Sequence, residues 1–383
     1  GEARQGYGLI ATIGADLDVG VVDPHHPADL GVVVSIFGVV DHRTMFAEPF
    51  RSHAAILRPG RTRGTDMPAL RPVDLSDEVV VVTGANSGIG KEAAITLARW
   101  GARVVVTARS EVRGGPARAE IRRRSGNESV ELVLLDLASF DSIHACADQL
   151  LDRYDRLDVL CNNAGGIISE RRSTREGFEL TFGANHLGHF LLTTLLLARL
   201  EETARRTDQP SRIVNVASLA HRGGGLPFDG LGERRAYNGT RAYNQSKLAN
   251  VVYTLELARR LDASLVTANA CHPGPVRTGF GSAEDTSGFE RLGIALGRPF
   301  MITPAWGSRV LTYLCSAPRV RTETGGYYVG GYPGRSARHR PSGRARGPEA
   351  GRRLWEVSEE MVARGEARRP DPSEPSDGDP DGA

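Results

Sequence analysis

The sequence predicts an α/β protein in which a doubly wound parallel sheet carries helices on both faces. Strand-like and helix-like patterns alternate without a break from Val79 to about Val329. A segment such as Val79–Val82 is apolar at every position, as expected for a parallel strand that is buried on both faces. Strand–helix–strand order in repetition favours parallel pairing, with helices covering each side of the sheet.

The elements follow in order along this stretch. A helix is expected from Gly88 to Trp100, with apolar residues on one face and Gly101 as its C-cap. Two longer helices are expected at Phe178–Leu200 and Tyr243–Leu261. The expected strands are Val79–Val82, Arg103–Thr107, Val130–Leu135, Leu157–Asn162, Ile213–Ala217, Leu265–Ala270 and Tyr327–Val329.

The two ends of the chain differ from this single folded domain, which we expect at residues 73–331. Residues 1–72 lack sustained periodicity and are interrupted by prolines. We expect an N-terminal extension of unknown role, disordered or upstream of a native start at Met67; the alternative is a genuine appended domain. Residues 332–383 are rich in Gly, Pro and Arg, which predicts a mostly disordered tail with a short helix near Leu354–Val362.

Composition and charge argue against several classes of protein. A net charge of +2 over 383 residues gives no reason to expect nucleic acid or an anionic membrane as partner. The apolar run Leu30–Val40 has about half the length of a membrane span. No basic segment precedes it, so we expect neither a transmembrane segment nor a signal peptide; a peripheral membrane anchor is the alternative. The cysteines are scattered, which suits a reducing cytoplasm rather than a disulfide framework or zinc site: Cys146, Cys161, Cys271 and Cys315.

The first expected strand runs directly into a glycine-rich segment, Thr83–Gly90. Glycines at a strand-to-helix junction let the backbone approach a pyrophosphate, and the helix N-terminus then points at the phosphates. The alternative is a tight turn that simply uses glycine. The spacing is G-x-x-x-G-x-G, and the position between a buried strand and an amphipathic helix favours dinucleotide binding. The candidate cofactor-binding residues are Gly84, Asn86, Ser87, Gly88, Ile89 and Gly90.

The ends of the second and third strands carry further candidates. Arg109 follows the second strand, where an arginine accommodates the 2′-phosphate of NADP and an acidic residue would bind the ribose of NAD. This favours NADP(H) over NAD(H); the alternative is a solvated surface arginine. Asp136, with Leu137, closes the third strand and is a candidate for the adenine amino group. Its alternative role is to cap the helix that begins near Ser139.

Tyr243 and Lys247 lie four residues apart on an apparent helix, so both side chains share one face. A free tyrosine has a pKa near 10, and lowering it by about two to three units requires roughly 3–4 kcal/mol. A nearby, partly desolvated cation supplies stabilisation of this size. Tyr243 is therefore a candidate general acid toward a carbonyl, or base toward an alcohol. The spacing alone is common by chance.

The neighbouring motifs make the pair specific. The chain presents Thr83–Gly90, Asn162–Gly165, Asn185, Ser218, Tyr243 with Lys247, and His272–Gly274 in one order. In this order and approximate spacing the chain resembles the short-chain dehydrogenase/reductase family over about residues 74–330. The sequences of Gly183–Thr193 and Gln245–Asn250 are most similar to those of the retinol-dehydrogenase-like branch. The resemblance implies a Rossmann-type fold and an NADP(H)-dependent oxidoreductase that interconverts an alcohol and its carbonyl.

The resemblance also implies a role for each matching residue. Ser218 would hydrogen-bond the substrate oxygen, and Tyr243 would exchange the proton. Lys247 would lower the pKa of Tyr243 and hold the nicotinamide ribose, while Asn185 would position a water that links Lys247 to solvent. Asn163 would contact the cofactor near that ribose. The remaining cofactor contacts that it implies are Ala164, Gly165, Tyr243, Pro273, Gly274, Val276 and Thr278.

Other interpretations of single residues stay open. Asn185 also suits a helix cap or kink, and Ser218 suits a turn ahead of the Gly223–Gly225 run. His186 and His189 flank Asn185 at helical spacing, but the family wording explains them as helix residues, so we expect no metal site.

Substrate and partners are less specified. Apolar residues within about Phe280–Thr303 predict a mobile lid for a small, lipophilic alcohol or carbonyl. The wide apolar faces of Phe178–Leu200 and Tyr243–Leu261 suggest a homodimer or homotetramer, unless the sheet covers both faces. Two rival functions are a non-catalytic NADP(H)-sensing or scaffold protein and a fusion whose N-terminal residues form the operative module.

Overall fold

The computed structural model describes residues 70–231, 237–276, 301–330 and 337–369. The predicted N-terminal extension up to residue 69, most of the predicted lid, Thr278 and the residues from 370 onward lie outside these ranges. No helix within them is both long and apolar enough to cross a membrane.

The described strands are β1 (Val79–Val82), β2 (Arg103–Ala108), β3 (Val130–Leu134), β4 (Val159–Asn162), β5 (Ser211–Val216), β6 (Val266–His272), β7 (Tyr327–Val329) and β8 (Ala337–His339). They form one sheet in the order β3-β2-β1-β4-β5-β6-β7-β8. All pairs up to β6–β7 are parallel, and β8 pairs antiparallel with β7. This arrangement confirms the predicted doubly wound α/β class. The strand β8 was not predicted.

The described helices are α1 (Gly88–Arg99), α2 (Glu111–Ser125), α3 (Phe140–Arg153), α4 (Leu180–Phe182), α5 (Gly188–Thr207), α6 (Gly239–Arg260), α7 (Pro304–Ser316), α8 (Gly343–Arg346) and α9 (Pro348–Glu366). A separate apolar core lies on each face of the sheet. The strand order reverses between β1 and β4, and ligands of open α/β sheets bind at such a switch point, beyond the carboxyl ends of the strands.

The long helix predicted at Phe178–Leu200 is interrupted. Helix α4 begins at Leu180 because the Glu179 carboxylate accepts hydrogen bonds from the amides of Thr181 and Phe182. A π-helical turn, Gly183–Leu187, then separates α4 from α5. Such turns occur frequently at functional sites. This turn contains Asn185.

Helix α6 begins one turn earlier than predicted. The Asn238 side chain accepts a hydrogen bond from the amide of Arg241 at 2.9 Å and caps the helix. Tyr243 therefore lies in the second turn, where regular helical geometry fixes its direction relative to Lys247.

The tail prediction was wrong for residues 337–369. Helix α9 runs from Pro348 to Glu366, well beyond the short helix expected near Leu354–Val362. Its apolar face joins the core through Leu354, Val357 and Met361, all buried. Composition suggested too little apolar surface, but the apolar residues are concentrated on one face of α9.

Candidate active site

The glycine-rich segment follows β1 and enters α1. Gly84 and Gly88 have φ values of +63° and +60°, which favour glycine. The Gly84 amide donates to Thr107 Oγ1 on β2 at 3.2 Å. At the start of α1, Ser87 makes no capping hydrogen bond to the described helix, and the first turn carries no acidic side chain. The N-terminal amides of α1 therefore present partial positive charge that suits a pyrophosphate.

A hydrogen-bond network joins this segment to the end of β4. Thr83 Oγ1 accepts from the amides of Asn163 and Ala164, each at 2.9 Å. The Asn163 side-chain amide donates to the Thr83 carbonyl at 2.7 Å. A Cβ at Gly90 would collide with the Asn163 side-chain amide and displace it from the Thr83 carbonyl. Thr83 was predicted only as part of the glycine-rich segment and not as a residue that holds the end of β4. Its position directly after a buried strand is the one sequence signal for this role.

These residues fit a nicotinamide dinucleotide. The buried Asn163 Oδ1 accepts no hydrogen bond from any described residue. A buried acceptor without a donor is costly. A ribose hydroxyl of the cofactor would supply the missing donor, which agrees with the contact implied for Asn163.

Arg109 lies directly after β2 and is exposed. It thus occupies the carboxyl edge of the sheet, two strands from the end of β4. Asp136 follows β3, and its Oδ1 accepts from the Ala138 amide at 3.0 Å. Helix α3 is capped by Ser139, so the alternative in which Asp136 caps it was wrong. Leu137 is buried against Gly188 at the start of α5.

Asn185 holds the segment that follows β4. Its Oδ1 accepts from the Gly166 amide and its Nδ2 donates to the Gly166 carbonyl, both at 2.9 Å. Nδ2 also donates to Ser246 Oγ on α6 at 2.9 Å. A Cβ at Gly165 would lie 2.9 Å from Asn185 Oδ1 and 3.3 Å from Lys247 Nζ. Asn185, Gly165 and Lys247 are therefore immediate neighbours.

Tyr243 and Ser218 complete the same cluster. The Ser218 side chain, two residues beyond the end of β5, hydrogen-bonds the phenol of Tyr243. The Lys247 ammonium donates to the Val216 carbonyl at 3.1 Å and lies 5.7 Å from the centroid of the Tyr243 ring. Side chains from three separate segments, Asn185, Ser218 and the pair Tyr243 and Lys247, thus meet at the carboxyl ends of β4 and β5.

The two ionisable groups of the cluster have shifted pKa values. Burial raises the pKa of Tyr243 to about 12, and the hydrogen bond with Ser218 offsets part of that rise. Burial lowers the pKa of Lys247 to about 8. From the sequence we expected a lowered pKa for Tyr243. In the structure burial is the largest influence on the pKa of Tyr243, and the Lys247 ammonium is directed at the Val216 carbonyl.

The segment after β6 contributes Pro273, Gly274 and Val276. Gly274 has a φ of +97°, and Val276 forms an isolated parallel bridge with Ile302. A Cβ at Gly307 of α7 would lie within 3.2 Å of both Val276 and Ile89. This segment therefore lies beside the start of α1, on the same side as the glycine-rich segment.

Two buried histidines beside the cluster, His186 and His189, hydrogen-bond other protein side chains. His189 Nε2 lies 2.9 Å from Thr83 Oγ1, and burial lowers its pKa to about 4. Burial lowers the pKa of His186 to about 3. No group of three or more His, Cys, Asp or Glu side chains within the described ranges is arranged to hold a metal ion.

Comparison with known proteins identifies the class. The family model for short chain dehydrogenase matches residues 78–287. The chain belongs to the short-chain dehydrogenase/reductase family, in its retinol-dehydrogenase-like branch, as its motifs predicted. Retinol dehydrogenase 13 from Homo sapiens is 39% identical over 313 residues, which cover 81% of this chain and 91% of that protein. The match is longer than residues 74–330, so the similarity extends beyond the predicted stretch.

Solved structures agree on the fold. A protein of unassigned function from Mycobacterium Paratuberculosis has a TM-score of 0.62 and 33% identity, covering 78% of this chain and 98% of its own. A short chain dehydrogenase from Shigella flexneri 2a, solved with NADP, has a TM-score of 0.52 and 25% identity, with coverage of 68% and 99%. A 3-ketoacyl-(acyl-carrier-protein) reductase from Brucella melitensis, solved with NADH, has a TM-score of 0.51 and 26% identity, with coverage of 67% and 97%.

Family membership defines the chemistry at a coarse level. The chain is an oxidoreductase that acts on CH–OH groups with a nicotinamide cofactor. Its substrate is a small molecule.

Proposed function

We propose that the chain is an NADP(H)-dependent oxidoreductase that interconverts a lipophilic alcohol and its carbonyl, with Tyr243 as general acid and base. The observation that carries this proposal is the meeting of Tyr243, Ser218 and Lys247 at the carboxyl ends of β4 and β5. The glycine-rich segment lies next to them through Thr83 and Asn163.

Each part of the cofactor has residues suited to it. The amides at the start of α1 suit the pyrophosphate. Arg109 suits the 2′-phosphate of NADP, because a guanidinium pairs with phosphate through two N–H groups. Asp136 suits the adenine, and Lys247 and Asn163 suit the nicotinamide ribose. When bound, NADPH supplies the hydride for carbonyl reduction. We propose that the nicotinamide is framed by the segment after β6, with Pro273, Gly274, Val276 and Thr278.

The chain's own residues supply the proton. Ser218 orients the substrate oxygen, and Tyr243 donates its phenolic proton to that oxygen as the carbonyl is reduced. Lys247 and a water held by Asn185 return the proton from solvent. The raised pKa of Tyr243 keeps the phenol protonated at neutral pH, which suits reduction. Oxidation of an alcohol requires the phenolate of Tyr243 as the base. Because burial disfavours that phenolate, oxidation needs additional positive charge beside the Tyr243 ring.

The substrate class is inferred from relatives. Retinol dehydrogenases 11 to 14 are 38–41% identical to this chain, and retinol is a long apolar alcohol. The apolar residues of the predicted lid lie outside the described ranges, apart from Met301 and Ile302. We therefore propose lipophilic aldehydes and ketones, retinaldehyde among them, as the first substrates to test.

A panel of carbonyls and alcohols, run with NADPH and NADH in parallel, tests this function. We expect reduction of apolar aldehydes with kcat/KM at least about tenfold higher for NADPH, because one charge-assisted pair to the 2′-phosphate contributes about 1.5–3 kcal/mol. Equal use of both cofactors would contradict the role of Arg109. Binding of NADPH without turnover of any substrate would favour the rival function, a non-catalytic NADP(H) sensor or scaffold.

The pH profile gives a second prediction. The pKa of Lys247 lies at about 8, so its ammonium loses its proton as the pH rises through that value. We expect kcat/KM for NADPH to stay level below about pH 8 and to fall above it, since this ratio reports groups of the free enzyme. A level profile up to pH 10, with the fold intact by circular dichroism, would contradict this role of Lys247.

Assembly and location complete the proposal. Helix α9 packs on α5 and α6, the two helices whose apolar faces suggested pairing. We therefore propose that a homodimer or homotetramer uses another surface.

All four cysteines are free and buried, which supports a reducing location such as the cytoplasm.

A further inference from the structure

The C-terminal segment, residues 337–369, packs against the helices that carry the catalytic candidates. Trp355 of α9 stacks on Tyr253 of α6, with ring centroids 5.9 Å apart, and meets Phe190 of α5 edge-on at 5.1 Å. His186, in the π-helical turn, lies 5.7 Å from the Tyr253 ring in an edge-on arrangement. An aromatic cluster therefore connects α9 with the turn that contains Asn185.

A buried hydrogen bond makes this connection specific. His186 Nε2 and Ser358 Oγ of α9 are 2.9 Å apart, although the residues are 172 positions apart in sequence. The Ser358 hydroxyl donates its proton to the Leu354 carbonyl at 2.7 Å. Ser358 Oγ must therefore accept from His186, which assigns the proton of the neutral imidazole to Nε2. Both residues are 1% exposed, so water cannot replace either partner.

His186 is the residue after Asn185, so fixing its ring also fixes the π-helical turn. Asn185 uses that turn to reach Gly166 and Ser246. A shift of the turn would break these bonds and displace Asn185 from Lys247. The contact with α9 thus bears on the position of Asn185 in the cluster.

A second link joins the same C-terminal segment to Ser218. The Ser342 amide donates to His221 Nε2 at 3.2 Å. His221 therefore carries its proton on Nδ1, which donates to the Ser218 carbonyl at 2.7 Å. The two histidines adopt opposite tautomers, each set by a serine of the C-terminal segment.

We propose that the C-terminal segment positions the catalytic cluster, with His186 and Ser358 holding Asn185 and with His221 and Ser342 holding Ser218. These four are positioning residues. The proposal rests on the proposed catalytic roles of Asn185 and Ser218. It assigns a function to a region whose composition predicted disorder.

The first test replaces Ser358 by Ala in the full chain and measures kcat and hydrogen exchange. Loss of the acceptor leaves the buried His186 donor unpaired, so the π-helical turn loosens. We expect kcat to fall about tenfold with KM for NADPH unchanged, and the amide of Gly166 to exchange faster. Ser316→Ala is the matched control: Ser316 is equally buried in α7 and donates to the carbonyl four residues before it, at 2.7 Å. It should change neither quantity.

A double-mutant cycle shows whether the effect passes through Asn185. Ser358→Ala in an Asn185→Ala background should lower kcat by less than about twofold further, because coupled residues are not additive. His186→Gln, which keeps a donor near the Nε2 position, should retain more activity than His186→Leu. Additive effects, or unchanged Gly166 exchange in folded Ser358→Ala, would overturn the proposal. The exchange result does not depend on turnover, so failure of the proposed function would leave it interpretable.

Discussion

Replacing Tyr243 by Phe is expected to lower kcat for carbonyl reduction by about 10²–10⁴-fold, the range that general acid catalysis contributes. The change removes one hydroxyl and keeps the ring. The hydroxyl hydrogen-bonds Ser218, and in the proposed mechanism it donates the proton to the substrate oxygen. NADPH binding should persist, because the glycine-rich segment, Arg109 and Lys247 are untouched.

The measurement pairs turnover with NADPH affinity, followed by nucleotide fluorescence. Tyr253→Phe is the matched control, because Tyr253 is a buried tyrosine on the same helix, α6. Its hydroxyl interacts with Thr193 and lies outside the catalytic cluster. We expect less than about a twofold change in kcat for this variant, since its ring packing is retained. Unchanged turnover in Tyr243→Phe would remove Tyr243 from the mechanism.

Replacing Arg109 by Glu is expected to lower kcat/KM for NADPH by about 10²-fold, because it removes charge-assisted hydrogen bonds and places like charge beside the 2′-phosphate. kcat/KM for NADH, which lacks that phosphate, should change far less. The cofactor preference should therefore shift toward NADH.

The matched control for Arg109→Glu is a charge reversal at Arg123, on the helix that follows Arg109. Arg123 is exposed in the last turn of α2, away from the carboxyl ends of the strands. Arg123→Glu changes the net charge equally and should leave the ratio of NADPH to NADH use within about twofold, since surface charges at a distance are screened. An equal loss with both cofactors in Arg109→Glu would show a general defect rather than loss of phosphate recognition.

Much of the fold could be predicted from local sequence patterns. β1 was predicted at its observed bounds because a parallel strand buried on both faces needs an unbroken apolar run, and Val79–Val82 supplies one. The junction with α1 was predictable for a similar reason, since glycine is required where φ is positive, as at Gly84. These features depend on residues adjacent in sequence.

Features set by distant contacts escaped prediction. The π-helical turn at Asn185 depends on bonds to Gly166 and Ser246, which no helical periodicity reveals. Helix α9 was underestimated because its stability comes from packing on α5 and α6 rather than from its own composition. The pKa of Tyr243 was predicted to fall because spacing indicates a nearby cation but not the degree of burial.

The candidate site was predictable as a set of residues but not as a network. Ser218, Tyr243 and Lys247 were named from motif order, and the structure brings them together. The supporting contacts of Thr83 with Asn163 and Ala164, and of His221 with Ser342, join segments far apart in sequence. Motif spacing carries no information on such pairs.

Transfer of deuteride tests the central claim most directly. NADPH carrying deuterium at the reactive position of the nicotinamide is incubated with the full chain and an apolar aldehyde, and the alcohol product is examined by mass spectrometry. The proposed function predicts one deuterium on the carbinol carbon in the unaltered chain and loss of this product in Tyr243→Phe. NADPH binding without deuterium in any product, across the whole aldehyde panel, would contradict it.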